Sequence, residues 1–429
     1  MSSTRPHAVT LSPVRAPLHG RLALPGSKSI TNRALLLAAL AKGASHLTGA
    51  LKSDDTARMA EALAAMGVGI AEPDATSFVV TANGKLKAPA APLFLGNAGT
   101  ATRFLTAAVA LVDGPVVVDG DANMRKRPIR PLVTALAELG VRAETATGCP
   151  PVTVHGTGRI TGSRVTIDAG LSSQYVSALL MLAACGTGDI EVALTGDHIG
   201  ARGYVDLTVA AMEAFGARVE QPSPGLWRVA ASGYQARDFA IEPDASAATY
   251  LWAAEQITGG AIDLGMPAGS FTQPDAKAHA MISAWPQMPA VIEGSQMQDA
   301  IPTLAVIAAF NQSPVRFTGI ANLRVKECDR INALSQGLNR IKPGLAREDG
   351  DDLVVTPDRS LIGQTVHAEI DTRDDHRIAM SFALAGLLTG GIAILDPSCV
   401  AKTYPGYWTD LAALGVGMTF TDHRELSQP

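Results

Sequence analysis

An apolar, Ala/Leu-rich helix that stops at a Gly or polar turn and runs into a short β-rich segment occurs six times along the chain. The instances are ALLLAALAKG before SHLTGA, TRFLTAAVALVDG before PVVVDG, YVSALLMLAACGTG before DIEVALTG, ATYLWAAEQITGG before AIDLG, TLAVIAAFNQ before SPVRFTGI, and RIAMSFALAGLLTG before GIAILD. A second helix, with apolar residues at helical spacing, recurs out of phase and closes on a Gly ahead of a new strand. MAEALAAMGVGI, LVTALAELGVRAE, LTVAAMEAFGARVE and WTDLAALGVGMTF carry it. Gly67, Gly140 and Gly216 fall 73 and 76 residues apart, while the counterparts near Met288 and Leu338 are degenerate. Each unit of about 70 residues therefore reads helix, strand, amphipathic helix, strand, strand. The first helix is apolar all round and needs cover on most sides; the second has a solvent face. Six such units make two domains of three. The break falls around SGYQARDFAIEPDAS, so residues 24–237 form one domain and residues 1–23 with 238–429 the other, because the opening strand HAVTLSPV has no repeat partner in the first half.

At 429 residues the chain is longer than one hydrophobic core usually serves. Hydrophobic residues make up 47% but aromatics only 5%, so the interior must be built from Ala, Leu, Val and Ile in closely packed helices. The net charge of −5 offers no general attraction for nucleic acid or an anionic membrane, so any anion site must be a local gathering of Lys and Arg. Cys149, Cys185, Cys328 and Cys399 form no CxxC pair, which speaks against a zinc cluster, a disulfide framework or a redox motif. The first twenty residues hold Pro and charges without a continuous apolar stretch, so no secretory leader is expected. Apolar runs such as ALLLAALA stop short of the ~20 residues that cross a bilayer. The expected compartment is the cytoplasm, and none of these features calls for a metal or an organic cofactor.

A polar loop precedes each apolar helix: LPGSKSITNR, LGNAGTATR, LSSQY, EPDASAATY, QDAIPT and RDDHR. Helix capping by Ser, Thr, Asn and Asp explains any one of them. Several, however, add Lys, Arg, Gln or His beyond what a cap requires, and equivalent helices of a repeat point their starts the same way. Exposed N–H groups and cationic side chains at such starts favour phosphate and carboxylate. A cleft between the domains for a multiply anionic ligand follows. In LPGSKSITNRALLLAAL, Gly26 makes a tight turn, Lys28 and Ser29 stand at the helix mouth and Arg33 lies one turn further; the spacing is not that of a Walker A loop.

That string closely resembles the family of 3-phosphoshikimate 1-carboxyvinyltransferases, as do LFLGNAGTATR, DGDANMRKRPIRPL, SSQYVSALLM, IANLRVKECDRINAL, DDHRIAMSFAL and LDPSCVAKTYPGYW, in order from about residue 24 to residue 408. The resemblance implies a two-domain inverted α/β barrel, the enolpyruvyl transferase fold, built from six βαβαββ-type repeats, closing over shikimate 3-phosphate and phosphoenolpyruvate. By motif, Lys28, Ser29 and Arg33 match residues that hold the substrates at the first helix mouth. Asn97, Gly99 and Arg127 match the phosphoenolpyruvate side. Ser172, Ser173 and Gln174 match contacts to the shikimate 3-phosphate, and Tyr204 a stacking position. Asp299 resembles the proton acceptor at the substrate hydroxyl. Asn322, Lys326, Glu327 and Arg330 match substrate-binding and acid/base positions; His376, Arg377 and Lys402 match the remaining phosphoenolpyruvate contacts.

The implied reaction is addition followed by elimination: the 5-hydroxyl of shikimate 3-phosphate attacks C2 of phosphoenolpyruvate as C3 is protonated, then phosphate leaves and C3 loses a proton. Asp299 would take the hydroxyl proton, and Lys28 or Glu327 would serve C3. The rival reading within the same fold is transfer to UDP-N-acetylglucosamine, whose family usually carries a Cys in the loop matching DANMRKRPIRP; a rival of another class is a non-catalytic anion-binding homologue. Without the resemblance, Arg127 and Arg130 read as solvated charges, Asp299 and His376 as caps, and the adjacent Lys326 and Glu327 as surface residues. Two positions depart from the family pattern: Ala201 stands where many relatives have Ser, and Phe104 follows Arg103 where Pro is frequent.

Overall fold

Strand order repeats as regularly as the helices do. In the computed structural model, which describes residues 7–170, 172–196 and 201–422, strand Leu93–Phe94 runs parallel to Asp113–Asp119. That strand pairs antiparallel with Val152–Thr157, which takes Arg142–Glu144 on its other edge. The same order recurs in Arg164–Ile167, Ile190–Leu194, Leu226–Val229 and Val219–Ser223, and again in Val291–Glu293, Val315–Thr318, Asp352–Val355 and Ala346–Asp349. Each parallel step is bridged by a buried helix, the central antiparallel step by the second helix with the edge strand that follows it, and only the outer antiparallel pair by a short connection.

Two sheets are completed from far along the chain. Ala41–Thr48 receives its parallel partners from Tyr234–Gln235 and Phe239–Ala240. Gly390–Leu395 is flanked by Thr365–Ile370 and by the opening strand Ala8–Leu11, with Val9 opposite Ile394; Ala8–Leu11 also pairs with Met418–Thr421. A reduced sheet joins His19–Arg21 to Ala261–Asp263. The chain divides accordingly into two units, residues 25–243 and residues up to 24 with those from 244 onward. Residues 1–6 and 423–429, assigned by sequence to the second of these, lie outside the described residues, as do Leu171 and residues 197–200.

Each unit has its own apolar core. In the unit from 244, the helices Ala245–Thr258, Ile301–Ala308 and His376–Leu388 pack on one another, and every residue of His376–Leu388 is buried. The counterparts in the other unit are Lys28–Leu40, Gly99–Ala108 and Ser173–Ala183. The amphipathic set behaves differently: in Arg330–Ile341, Ile331, Leu334, Leu338 and Ile341 are buried at helical spacing while the opposite face is wet.

The repeat is more complete than the sequence suggests in one place and less in another. Arg330–Ile341 is a full helix whose closing glycine is displaced to Gly344, with φ 91°, matching Gly67, Gly140 and Gly216 at 87°, 78° and 87°. The fourth repeat's second helix shrinks to Ala278–Ser283. Among the described residues no sheet closes on itself; each repeat contributes an open sheet.

Candidate active site

In unit 25–243, Ser27 caps the first buried helix, its Oγ accepting the Ile30 N–H at 3.3 Å. Gly26 lies so close to the neighbouring loop that a Cβ there would stand 1.9 Å from the Gly49 carbonyl oxygen, so the turn admits no side chain. Lys28 is buried and approaches Asp55 Oδ2 at 3.6 Å. Arg33, 2% exposed, donates from Nε to Thr208 Oγ1 at 2.8 Å, from Nη1 to the Ser29 carbonyl at 2.9 Å, and from Nη2 to Ser177 Oγ at 3.3 Å and the Tyr204 carbonyl at 3.0 Å. All four acceptors are neutral. Its guanidinium carbon lies 5.1 Å from the Phe104 ring centre and 6.0 Å from that of Tyr204. Burial pushes Arg33 down to about 10, with Tyr204 opposing the shift.

The second and third buried helices of this unit meet at their starts. Gln174 Nε2 donates to Thr100 Oγ1 at 3.3 Å, and Ser172 caps its helix by accepting the Gln174 N–H at 3.2 Å, with the buried Ser173 between them. Arg127 Nη1 donates to the Asn97 carbonyl and to Asn97 Oδ1, at 3.3 and 3.0 Å. Gly99 is where this guanidinium passes: a Cβ there would lie 2.7 Å from Arg127 Nη2. The cations of MRKRPIR thus divide, Arg127 being buried and Arg125, Lys126 and Arg130 exposed. Half-buried Tyr204 sits in the first turn of Gly203–Ala214. Ala201 just before it holds φ 55°, left-handed backbone at a residue with a Cβ.

The other unit brings its residues together around carboxylates. Asp299, in the single turn Gln298–Ala300 ahead of Ile301–Ala308, accepts from Arg330 Nη1 at 3.0 Å and Arg377 Nη2 at 2.8 Å, with Lys326 Nζ at 3.9 Å. Glu327 accepts from Arg330 Nη2 at 2.6 Å and lies 3.8 Å from Lys402 Nζ. Asp375 accepts from Arg330 Nε at 2.7 Å, caps His376–Leu388 by accepting the Arg377 N–H at 2.9 Å, and stands 3.8 Å from His376 Nδ1. Burial by itself lowers an arginine, but in Arg330 the carboxylates of Asp375, Glu327 and Asp299 outweigh it and drive the group upward. In Arg377 burial is likewise outweighed, by Asp299 first and then Tyr250. Lys326 and Glu327 escape the constraint of a shared helix face because they occupy the loop between the turn Ala321–Val325 and Arg330–Ile341. Asn322 is buried in that turn, its carboxamide oxygen without a hydrogen-bond partner.

Three further residues belong with these sets and were not singled out by sequence. Arg103, one turn into Gly99–Ala108, donates to the Gly99 carbonyl at 3.3 Å and the Pro128 carbonyl at 3.0 Å; its i+4 spacing from Gly99 was the available signal. Asp55 meets Lys28. Asp375, readable only as a cap, follows Arg373 and Asp374 at φ 53° and 58°, a left-handed bend that delivers its carboxylate to Arg330. The two sets hold buried cations and carboxylates suited to anionic ligands and proton transfer. Among the described residues no group of three or more His, Cys, Asp or Glu is placed to hold a metal ion, and no helix is long and apolar enough to cross a membrane.

Comparison with known proteins narrows the chemistry. The profile of the family described as EPSP synthase (3-phosphoshikimate 1-carboxyvinyltransferase) matches residues 14–293 and 269–411. The 3-phosphoshikimate 1-carboxyvinyltransferase of Rhizobium leguminosarum bv. trifolii is 69% identical over 96% of this chain and 98% of its own length. That of Pseudomonas syringae pv. syringae is 66% identical over 96% of this chain and 99% of its own. The solved EPSP synthase of Acinetobacter baumannii, 25% identical, superposes with a TM-score of 0.77 over 96% of this chain and 100% of that one.

Proposed function

The chain belongs to the EPSP synthase (3-phosphoshikimate 1-carboxyvinyltransferase) family, and from that premise we propose that it moves the carboxyvinyl group of phosphoenolpyruvate onto the 5-hydroxyl of shikimate 3-phosphate and releases phosphate. The relatives named for this reaction, at 66% identity and above, favour it over transfer to UDP-N-acetylglucosamine. The observation that supports a catalytic role most directly is the carboxylate of Asp299 held between Arg330 and Arg377 at 3.0 and 2.8 Å.

Within the proposal, Lys28, Ser29, Arg33, Ser172, Ser173, Gln174, Tyr204, Asn322, Lys326 and Arg330 are the residues assigned to shikimate 3-phosphate. Asn97, Gly99, Arg127, His376, Arg377 and Lys402 serve phosphoenolpyruvate. The hydroxyl oxygen forms a bond to C2 as its proton passes to Asp299 and C3 gains a proton. The C2–O bond to phosphate then breaks, phosphate leaves with the electron pair, and C3 returns its proton. Lys28 and Glu327 are the groups assigned to C3.

A carboxylate surrounded by cations is a poor base until some of that charge is diverted. Phosphoenolpyruvate brings a phosphate and a carboxylate that compete for Arg377 and Lys402, the partners of Asp299 and Glu327. Substrate binding therefore raises the proton affinity of these carboxylates when a base is needed. The remaining Lys and Arg stabilise charge on the departing phosphate. Release of phosphate from phosphoenolpyruvate that depends on shikimate 3-phosphate is the test; release without it, or none with it, would reject the assignment. Monomeric state and cytoplasmic location belong to the same proposal and are checked by mass in solution and by cell fractionation.

A further inference from the structure

Phe104 follows Arg103 on the helix Gly99–Ala108 and is fully buried, its ring centre 5.1 Å from the Arg33 guanidinium carbon. We propose that Phe104 is a positioning residue for Arg33: its ring face holds the guanidinium in place as a charged group that no carboxylate among the described residues neutralises, leaving that charge for the anionic substrate. This rests on the assignment of Arg33 to shikimate 3-phosphate.

The hydrogen bonds explain why a ring is needed. Arg33 donates to the oxygens of Thr208, Ser177, Ser29 and Tyr204, and among the described residues no carboxylate stands within ion-pair distance. Neutral acceptors orient a guanidinium but compensate little of the cost of taking a cation out of water. An aromatic face attracts a cation without carrying a charge of its own. A carboxylate in its place would hold Arg33 more firmly, as Asp375 holds Arg330, and would offset part of the charge the ligand requires. Tyr204 supplies a second ring at 6.0 Å, but it is half-buried and itself assigned to the ligand, whereas Phe104 is sealed in the core and present whether or not ligand is bound. Released from the Phe104 ring, Arg33 would sample other positions in the free enzyme, and each binding event would have to order it again.

Fluorination of the ring tests this, because 4-fluoro, 3,5-difluoro and 3,4,5-trifluoro phenylalanine at position 104 keep the shape while stripping negative potential from the face. The expected result is a stepwise rise in KM for shikimate 3-phosphate, reaching about three- to thirty-fold, with kcat within about twofold of the parent. Arg33→Met, measured alongside, should raise the same KM. A flat KM across the fluorinated series with Arg33→Met elevated overturns the role of Phe104 alone. An unchanged KM in Arg33→Met overturns the assignment of Arg33 beneath it. Phe104→Leu, which keeps apolar contact without a ring, provides the same reading if a fluorinated chain does not fold: a rise confined to KM supports the proposal, and a loss of kcat at constant KM contradicts it.

Discussion

The two units solve the same problem, a buried arginine beside the start of a buried helix, in opposite ways. Arg33 in unit 25–243 is framed by hydroxyls, carbonyls and rings, and burial lowers its affinity for its proton to about 10. Arg330 in the other unit is gripped by Asp299, Glu327 and Asp375, and those carboxylates push it upward despite burial. The first arrangement stores uncompensated positive charge, which suits a receptor for anions. The second stores paired charge, which can be redistributed when a ligand arrives and so suits proton transfer. The two arginines stand on different helix sets, Arg33 inside the buried Lys28–Leu40 and Arg330 at the start of the amphipathic Arg330–Ile341, so the partners of each cation and not a shared repeat position decide what it does.

The largest effect should come from the carboxylate side. Asp299→Ala is expected to lower kcat by about 10²- to 10⁴-fold while shikimate 3-phosphate still binds, measured by rapid-quench turnover and calorimetry; turnover near the parent's would remove Asp299 from proton transfer. On the receptor side, Gly99→Ala drives a methyl into the Arg127 guanidinium. Because the obstacle is the end of a flexible side chain, stability should hold while KM for phosphoenolpyruvate rises by roughly tenfold, the worth of one charged hydrogen bond. An unchanged KM would detach Gly99 and Arg127 from that substrate.

Stability gives a sharper contrast. Arg330→Met strands Asp375 and takes one of their cations from Asp299 and Glu327, which keep Arg377 and Lys402, and should cost about 3–5 kcal/mol in denaturant unfolding. Arg33→Met strands none: Thr208 Oγ1 already donates to Ser177 Oγ at 2.8 Å and can instead serve the Tyr204 carbonyl, also at 2.8 Å. Its stability should stay within about 1 kcal/mol of the parent. Equal losses would mean the two sites differ less than their partners suggest.

The pH dependence should be the mildest effect near neutrality. Arg33 is depressed below its unfolded value by burial, so its charged form is lost first, as pH rises through about 10. Affinity for shikimate 3-phosphate should be flat from pH 7 to 9 and fall about tenfold per unit above 10, while Arg330 and Arg377, shifted upward, keep their charge. Calorimetric titration of the folded protein across that range checks the limb.

Much of this was legible in the residues. The six apolar helices, the amphipathic set and the polar loops at helix starts announce themselves through periodicity and capping chemistry, which are local. What stayed hidden is what depends on distant partners. Asp375 reads as a cap and is one, yet its second job requires Arg330, 45 residues earlier, to fold back onto it. Arg127 and Arg130 look alike in KRPIR and only tertiary burial separates them. Phe104 reads as one more core residue until Arg33 is seen against its ring. The displaced Gly344 was missed because the repeat drifts by a few residues at a helix end without changing the backbone turn that follows.

The division of labour between Arg33 and Asp299 is tested most directly by phosphate release from phosphoenolpyruvate, followed as shikimate 3-phosphate is raised to saturation in Arg33→Met and Asp299→Ala. Saturation should restore most of the rate in Arg33→Met and none of it in Asp299→Ala. Recovery in Asp299→Ala, or a deficit in Arg33→Met that no concentration repairs, would contradict the assignment of anion binding to Arg33 and of proton transfer to Asp299.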